Sequence, residues 1–587
     1  MTLPLIAAFA FTQVVGIGAS GPQMKAPASV TPEKDRCVVT GRVSSMQTGE
    51  PLKKATLHLT MRNAPRNTNG VFEQTGYSGT SEADGSFKFE GVEPGEYSLR
   101  GEKAGYIQTS YGSKTGMMGG TTLTLQPGQQ LTDLKLQLLQ QAIVTGRVLD
   151  EDGDPVPNVS VLAMTSMHLQ GMSRYFPRGQ ANTDDTGAYR IANLTPGKYY
   201  IMTQLQRGNM GMREKPATPG KPDLQPVSTY YPNSLDRTGA SAVDLKAGQE
   251  MPGVDIRQRT LETFHIRGKL AGASGDEDKT PRMLMLQRDD GDAVFFGGGM
   301  SMVGADHTFD IANVAPGSYT LIMPAFNGKK ETASQPVEVA SADVNDVVVT
   351  IHPALTIHGS VELQGSLPAS AKDKPLENLQ IFASPEGNSM FFGGGNGMSK
   401  ADGTFSLENV TPGKMKVHVS NEPDGAYIKS IRFGNQEVMG KTVDLTQSSV
   451  GEIHVVLHAG APEISGTAMK KKEGDAAASG SSVLMPASSA TILLIPEDLT
   501  RNGGSVHSPN TNQNGAFTEK GMAPGVYYAV AVESEDFRSW DDPAWLKQLV
   551  DKGTKVEVQE NDKKQVQVTM LSAEELQAAL TAAGVAN

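Results

Sequence analysis

This chain of 587 residues has one cysteine, two tryptophans and no long apolar run after its opening segment. Each scarcity excludes something. A lone Cys37 cannot form an internal disulfide, so no covalent staple holds the fold. It stands about 17 residues beyond the opening apolar segment, too far for a lipidated cysteine, and reads as a buried free thiol. Beyond that segment nothing approaches the roughly 20 apolar residues a membrane-spanning helix needs. Basic residues number 52 against 64 acidic, a net charge of −12, without a long basic run. Nucleic acid, which needs a basic stripe, is therefore excluded as a partner.

Catalytic patterns are missing too. A zinc peptidase needs closely spaced His and Glu ligands, and neither His-Glu-x-x-His nor His-x-x-Glu occurs. His454 and His458 have the spacing of a zinc helix. On a strand they would stand about 13 Å apart at ~3.3 Å per residue, too far for one ion. No nucleophile elbow follows a strand, so no serine or cysteine triad is expected. Asp150-Glu151-Asp152-Gly153-Asp154 alternates carboxylates like a calcium loop but lacks the closing Glu; a solvated turn is the simpler reading. No cofactor, metal or catalytic residue is expected, and the chain reads as a non-enzyme.

What the sequence does have is one phrase five times over. Asp84-Gly85-Ser86-Phe87 is followed by Pro94-Gly95-Glu96-Tyr97. It returns as Thr186-Gly187-Ala188-Tyr189 with Pro196-Gly197, Asp306-His307-Thr308-Phe309 with Pro316-Gly317, Asp402-Gly403-Thr404-Phe405 with Pro412-Gly413, and Asn514-Gly515-Ala516-Phe517 with Pro524-Gly525. Asp-Gly and Asn-Gly make tight turns because glycine accepts positive φ. His307 stands in for the glycine, and His tolerates that region better than most residues. Alternation then follows, as in Phe87 and Phe89, and Pro-Gly makes a second turn. The phrase is a β-hairpin between two turns. Tyr97, Tyr199, Tyr319 and Tyr527 open the return strand, while Met415 takes that place in the fourth copy.

Upstream of each hairpin lies a short strand centred on Gly41, Gly146, Gly268, Gly359 or Gly466. A second apolar strand follows it, and a closing strand pair lies downstream. Six or seven strands in roughly 100 residues is the size of a two-sheet sandwich. The expectation is an all-β chain: five tandem transthyretin- or immunoglobulin-like sandwiches in an elongated array. The expected limits are 36–140, 141–262, 263–355, 356–460 and 461–573. Residues 1–20 read as a secretory signal lacking the usual basic start, 21–35 as a linker, Ser572 to Ala583 as a second helical stretch, and 574–587 as a weakly ordered tail. Asp541 to Val550 reads as a short amphipathic helix with Pro543 in its first turn.

Thr-Gly-Arg-Val, Gly-x-Pro-Leu at 49–52, Asp-Pro-Val-Pro-Asn-Val at 154–159 and the hairpin phrase together resemble the carboxypeptidase regulatory-like domain. This is a transthyretin-like, carbohydrate-binding-like sandwich that occurs in large secreted bacterial proteins. The first two modules carry the resemblance most fully. It implies fold and an envelope or extracellular location (periplasmic, outer-surface or secreted) far more than an activity, since in metallocarboxypeptidases this domain is not the catalytic part.

One pattern points to a ligand. Tyr175-Phe176, Phe295-Phe296 and Phe391-Phe392 each lie fourteen residues before the hairpin aromatic, and glycines follow the last two pairs. Flat rings on a loop can stack on sugars, so these six are the candidate ligand-binding residues; core packing over the sandwich edge is the competing reading. Paired methionines such as Met300 and Met302 read as gap-fillers rather than copper ligands. The expected partner is a polysaccharide or another cell-surface component. A spacer or scaffold without a small ligand, or an accessory to a secreted peptidase or glycoside hydrolase, are the alternatives.

Overall fold

The computed structural model describes residues 32–62, 76–114, 120–169, 172–204, 224–272, 282–288, 300–304, 306–323, 331–368, 374–385, 394–445, 451–471, 484–499, 506–533 and 543–583. Strands dominate, and the apolar interior falls into five main clusters, one for each hairpin phrase. The opening segment read as a signal lies outside the described residues.

Every module repeats one three-strand frame. The glycine-centred strand runs antiparallel to the hairpin strand and parallel to the closing strand. In the first module Cys37–Ser45 lies between Ser86–Val92 and Gln130–Leu138. Phe264–Ala271 lies likewise between Thr308–Val314 and Val344–Thr350, and Glu463–Lys471 between Ala516–Glu519 and Lys563–Thr569. A second sheet packs against this frame. In the first module Thr56–Met61 pairs with Gly95–Glu102 and Gly76–Thr80. In the fourth, a single pairing of Asn396 with Glu408 joins the two sheets along one edge.

The register explains the repeated letters. Gly41 stands opposite Phe87, Gly146 opposite Tyr189, Gly268 opposite Phe309, Gly359 opposite Phe405 and Gly466 opposite Phe517. The ring lies across the glycine, and the parallel strand's carbonyl closes on it from the other side. A Cβ at Gly466 would sit 1.8 Å from the Val566 carbonyl oxygen, and one at Gly268 would sit 2.0 Å from that of Val347. Only glycine fits. At the turn, Gly85, Gly187, Gly403 and Gly515 have φ between 71° and 81°, and His307 adopts 62° in their place. The histidine substitution thus keeps the turn.

The tyrosine after Pro-Gly ties the return strand to the turn. Tyr97, Tyr199, Tyr319 and Tyr527 each donate a hydroxyl hydrogen bond to the carbonyl four residues upstream, at 2.9, 2.9, 2.8 and 2.7 Å. Met415 keeps the bulk in the fourth module without that bond. A second pin has no obvious sequence signature. Ser81, Thr183, Ser399 and Thr511, six residues before the hairpin aromatic, each donate to one backbone carbonyl and accept from one N–H at the start of the second strand or just before it. In the third module Val303 occupies that position.

Two expectations are corrected. Ser572 to Ala583 was expected as a helical stretch in a weakly ordered tail. The helix is present as Ala573–Ala582 (α2), but it is docked rather than loose, and it is started by a capping box in which the Ser572 hydroxyl accepts from the Glu575 N–H and the Glu575 carboxylate accepts from the Ser572 N–H. It packs with helix α1, Pro543–Val550, the helix expected from sequence. The array was also expected to be elongated, yet its first and fifth sandwiches touch. The Thr124 N–H donates to Gln513 Oε1 at 3.0 Å, and Gln513 Nε2 donates back to the Thr124 carbonyl at 2.9 Å. Thr122 bridges Asn512, the Thr121 hydroxyl donates to the Ser488 carbonyl, and Lys114 pairs with Glu533. One glutamine at a turn tip satisfying a strand edge has no periodicity for a sequence to display.

Candidate functional site

Inward positions of every sandwich are filled with apolar side chains, which leaves the outer sheet faces and loops to meet a ligand. The turn carboxylates are already engaged. Asp150 Oδ1 accepts from the N–H groups of Asp152 and Asp154 at 3.0 and 2.8 Å, so the acidic run is a hairpin turn that spends its carboxylate on its own backbone. The Thr186 hydroxyl and the Ala188 N–H hold the Asp184 carboxyl below the usual carboxylate range. His454 bonds to Ser360 and His458 to the Ala459 carbonyl, both on one strand. Among the described residues no group of three or more His, Cys, Asp or Glu could hold a metal ion. Cys37 is buried, with its thiol on the Gln126 carbonyl at 3.1 Å.

Of the six candidate aromatics, Phe295, Phe296, Phe391 and Phe392 lie outside the described residues. Tyr175 does not sit on a loop. It lies in strand Met172–Asn182, 8% exposed, edge-on to Tyr200 at 5.6 Å and beneath the Arg237 guanidinium at 4.6 Å. With Leu162, Met164, Met202 and Tyr230 it forms a small core on the outer face of its sheet. Its neighbours occupy both its edge and its face; the adjacent Phe176 is half-buried.

Two grooves share one structural address. In the first sandwich a groove of about 500 Å³ crosses the outer face of the three-strand frame beside Thr40, Arg42, Glu82, Lys88, Asp133 and Lys135. In the second, a groove of about 760 Å³ lies at the same place, beside Thr145, Arg147, Asn182, Asp184, Arg190 and Asp255. The glycine between threonine and arginine forms the floor in both. Outward alternation places these side chains: residues on either side of the glycine face solvent while the ring opposite it faces the core. Arg42 lies 3.6 Å from Asp84 in an exposed pair, and Asp255 accepts from the Arg147 N–H at 2.8 Å. These grooves recognise by hydrogen bonding and charge and hold no nucleophile–base pair.

The second-sheet faces differ among modules. The fourth presents Phe382, 42% exposed, stacked on His418 with ring centroids 4.7 Å apart and planes 15° apart. His418 Nε2 lies 3.2 Å from the Ser384 hydroxyl. Burial, and next the Lys416 charge, hold its imidazole below the ordinary value, which favours the neutral ring. Alternation on a sheet predicts such outward positions, but no single-sequence signal says which remain open.

Residues 38–139 and 143–213 match the family model of the carboxypeptidase regulatory-like domain, less than a third of the chain. The motifs of these segments led us to expect this match; the first segment spans the first sandwich, and the second covers the second sandwich through strand Gly197–Gln204 and stops short of Ala242–Leu245 and Ile256–Arg257. No curated protein matches. Among solved structures, the minor pilin GBS52 of Streptococcus agalactiae is similar at 12% identity, covering 38% of this chain and 96% of its own, with a TM-score of 0.21. BcpA, the major pilin subunit of Bacillus cereus, is similar at 13% identity, covering 54% and 100%, with a TM-score of 0.15. A DUF3823 family protein from Bacteroides uniformis is similar at 11% identity, covering 29% and 88%, with a TM-score of 0.14. Scores this low carry no argument about this chain. Among the described residues no helix is long and apolar enough to cross a membrane.

Proposed function

We propose that this chain is a secreted, non-catalytic array of β-sandwiches that binds a polysaccharide or another cell-surface component. The observation supporting this most is the pair of polar grooves at one address on the two family-matched sandwiches. Each lies on a rigid sheet, and each offers hydroxyl, amide or guanidinium groups to an extended polar ligand without a reactive group beside them. Preformed sites of this kind cost little ordering on binding. The Phe295-Phe296 and Phe391-Phe392 pairs would add ring stacking to such a ligand.

Retention of the purified chain on arrayed and insoluble polysaccharides tests this. Binding should fall about tenfold when Arg42 and Arg147 are both replaced by Ala, since each lost charge-assisted bond is worth ~1.5–3 kcal/mol at most and far less where exposed. Replacing the four phenylalanines should weaken it as well. No retention on any glycan would sink the reading and favour a scaffold without a small ligand, which the filled cores also accommodate.

A further inference from the structure

We propose that the outer face of the fourth sandwich is a saccharide-stacking platform, with Phe382 as the ring on which a sugar lies and Lys416 beside it to receive a uronate carboxylate. The proposal rests on the polysaccharide reading above and locates a site for it.

In strand Gln380–Pro385, Ile381 and Ala383 point into the core while Gln380 and Phe382 point out. Phe382 is the only aromatic ring among the described residues with so much surface. The matching outward position holds His58, Leu162, Met285 and Leu493 in the other sandwiches. Leu162 is covered by Tyr230 and Leu493 by the two helices. Among the described residues, an open phenylalanine at this position is peculiar to the fourth.

The neighbours suit a sugar. Phe382 stands directly opposite Asn396 on one side and His418 on the other. At ~4.8 Å between strands that row spans about 10 Å, the scale of a sugar ring and its linkage. His418 backs one face of the Phe382 ring and is itself held by Ser384, so the ring is braced before any ligand arrives. The exposed amides of Asn396 and Gln380 lie at its margin, where hydroxyls of a stacked pyranose would reach them. The axial C–H groups of such a ring meet the negative face of a π system.

Charge selects the sugar class. Lys414 stands opposite Asp444, whereas Lys416 stands opposite Thr442 and Ser384, two neutral residues. Lys416 is thus a cation at the platform's edge without a carboxylate across from it, and a uronate supplies one.

The test uses the full chain and two probes, alginate as a polyuronate and dextran as a neutral glucan. Alginate should be retained over dextran. Phe382→Ala should weaken retention about tenfold, the effect of one lost stacking contact, and Phe382→Tyr should restore it. Lys416→Gln should reduce the preference for alginate. Because both side chains lie on the outer face, the melting temperature serves as a folding control and should stay near wild type. Alginate binding that survives Phe382→Ala, or a preference for dextran, overturns the platform. If Arg42→Ala with Arg147→Ala abolishes binding while Phe382→Ala does not, the platform fails and the polysaccharide reading stands. If wild type binds no glycan, both fail.

Discussion

The fourth and fifth sandwiches share a frame and differ in what lies over it. In the fourth, strand Gln380–Pro385 alternates exposed and buried residues, and Phe382 faces solvent. The corresponding strand in the fifth, Ala490–Pro496, is buried at all seven positions. Its inward residues Ile492 and Leu494 join the sandwich core, while Leu493 and Ile495 join a second core with Val530, Trp545, Leu549 and Leu580. Helices α1 and α2 supply that cover. A strand's outward residues therefore report what lies over the sheet, and their inward neighbours report the sheet itself. Where a cover exists an unbroken apolar run is stable; where none exists, an outward aromatic packs only against its cross-strand neighbour, as Phe382 does on His418.

The comparison can be broken at three places. The largest effect should come from the frame common to both. Gly466→Ala would drive a Cβ into the Val566 backbone, with no side-chain rotation to relieve it. Chemical unfolding should show a loss of at least about 4 kcal/mol, within the exceptional range for one residue. Gly359→Ala, 2.3 Å from the Phe405 ring and 2.5 Å from the Ile453 carbonyl, should behave alike. Tolerance at either site would mean that the frame is not shared.

Next comes the cover. Trp545 is 1% exposed under the fifth sandwich, and Trp545→Ala should cost ~3–5 kcal/mol. Phe382→Ala, on the open face of the fourth, should change stability by less than about 1 kcal/mol, the range of one cross-strand pair. Equal losses from the two would mean that the fourth face is covered as well.

The smallest effect is one of pH. The His418 imidazole is held below its ordinary value of 6.5, so the unfolded chain takes up this proton first. Its contribution is complete above 6.5 and is lost as pH falls through the lowered folded value. The turn carboxylates of Asp84, Asp306 and Asp402 are also held low, but their window lies below 3.8. Half-buried Glu422 acts with the opposite sign, since desolvation pushes its carboxyl up. The melting temperature of wild type minus that of His418→Gln should therefore fall as pH drops below 6.5. A flat difference would mean that His418 is no more buried than a free imidazole. The corresponding outer face of the fifth is built from apolar side chains and should add no such slope.

Much of this frame was legible in the letters. The glycine-centred strands, the tight turns at Gly85, Gly187, Gly403 and Gly515, and the return strands follow from local rules that act over a few residues, whereas the placing of each glycine opposite a ring on a distant strand emerged only from the register. His307 was readable as a turn residue for the same reason. Gln513 was not, because its partner Thr124 lies 389 positions away and the bond satisfies a strand edge rather than a pattern. Tyr175 read as a loop aromatic and turned out to be a strand residue packed under Arg237, since an outward aromatic looks the same in sequence whether or not chain folds over it. Ser572 to Ala583 read as a helical stretch but a weakly ordered one; that Leu576, Ala579 and Leu580 dock it under the fifth sandwich depended on distant chain.

Sequence alone settled the repeating unit, because backbone turns and strand alternation are short-range. Which outer faces are covered, which ring stays open and which ends of the array touch were decided only in three dimensions. Those outcomes depend on residues far apart in the chain arriving at one surface, and burial belongs to the assembled packing, not to any residue read by itself.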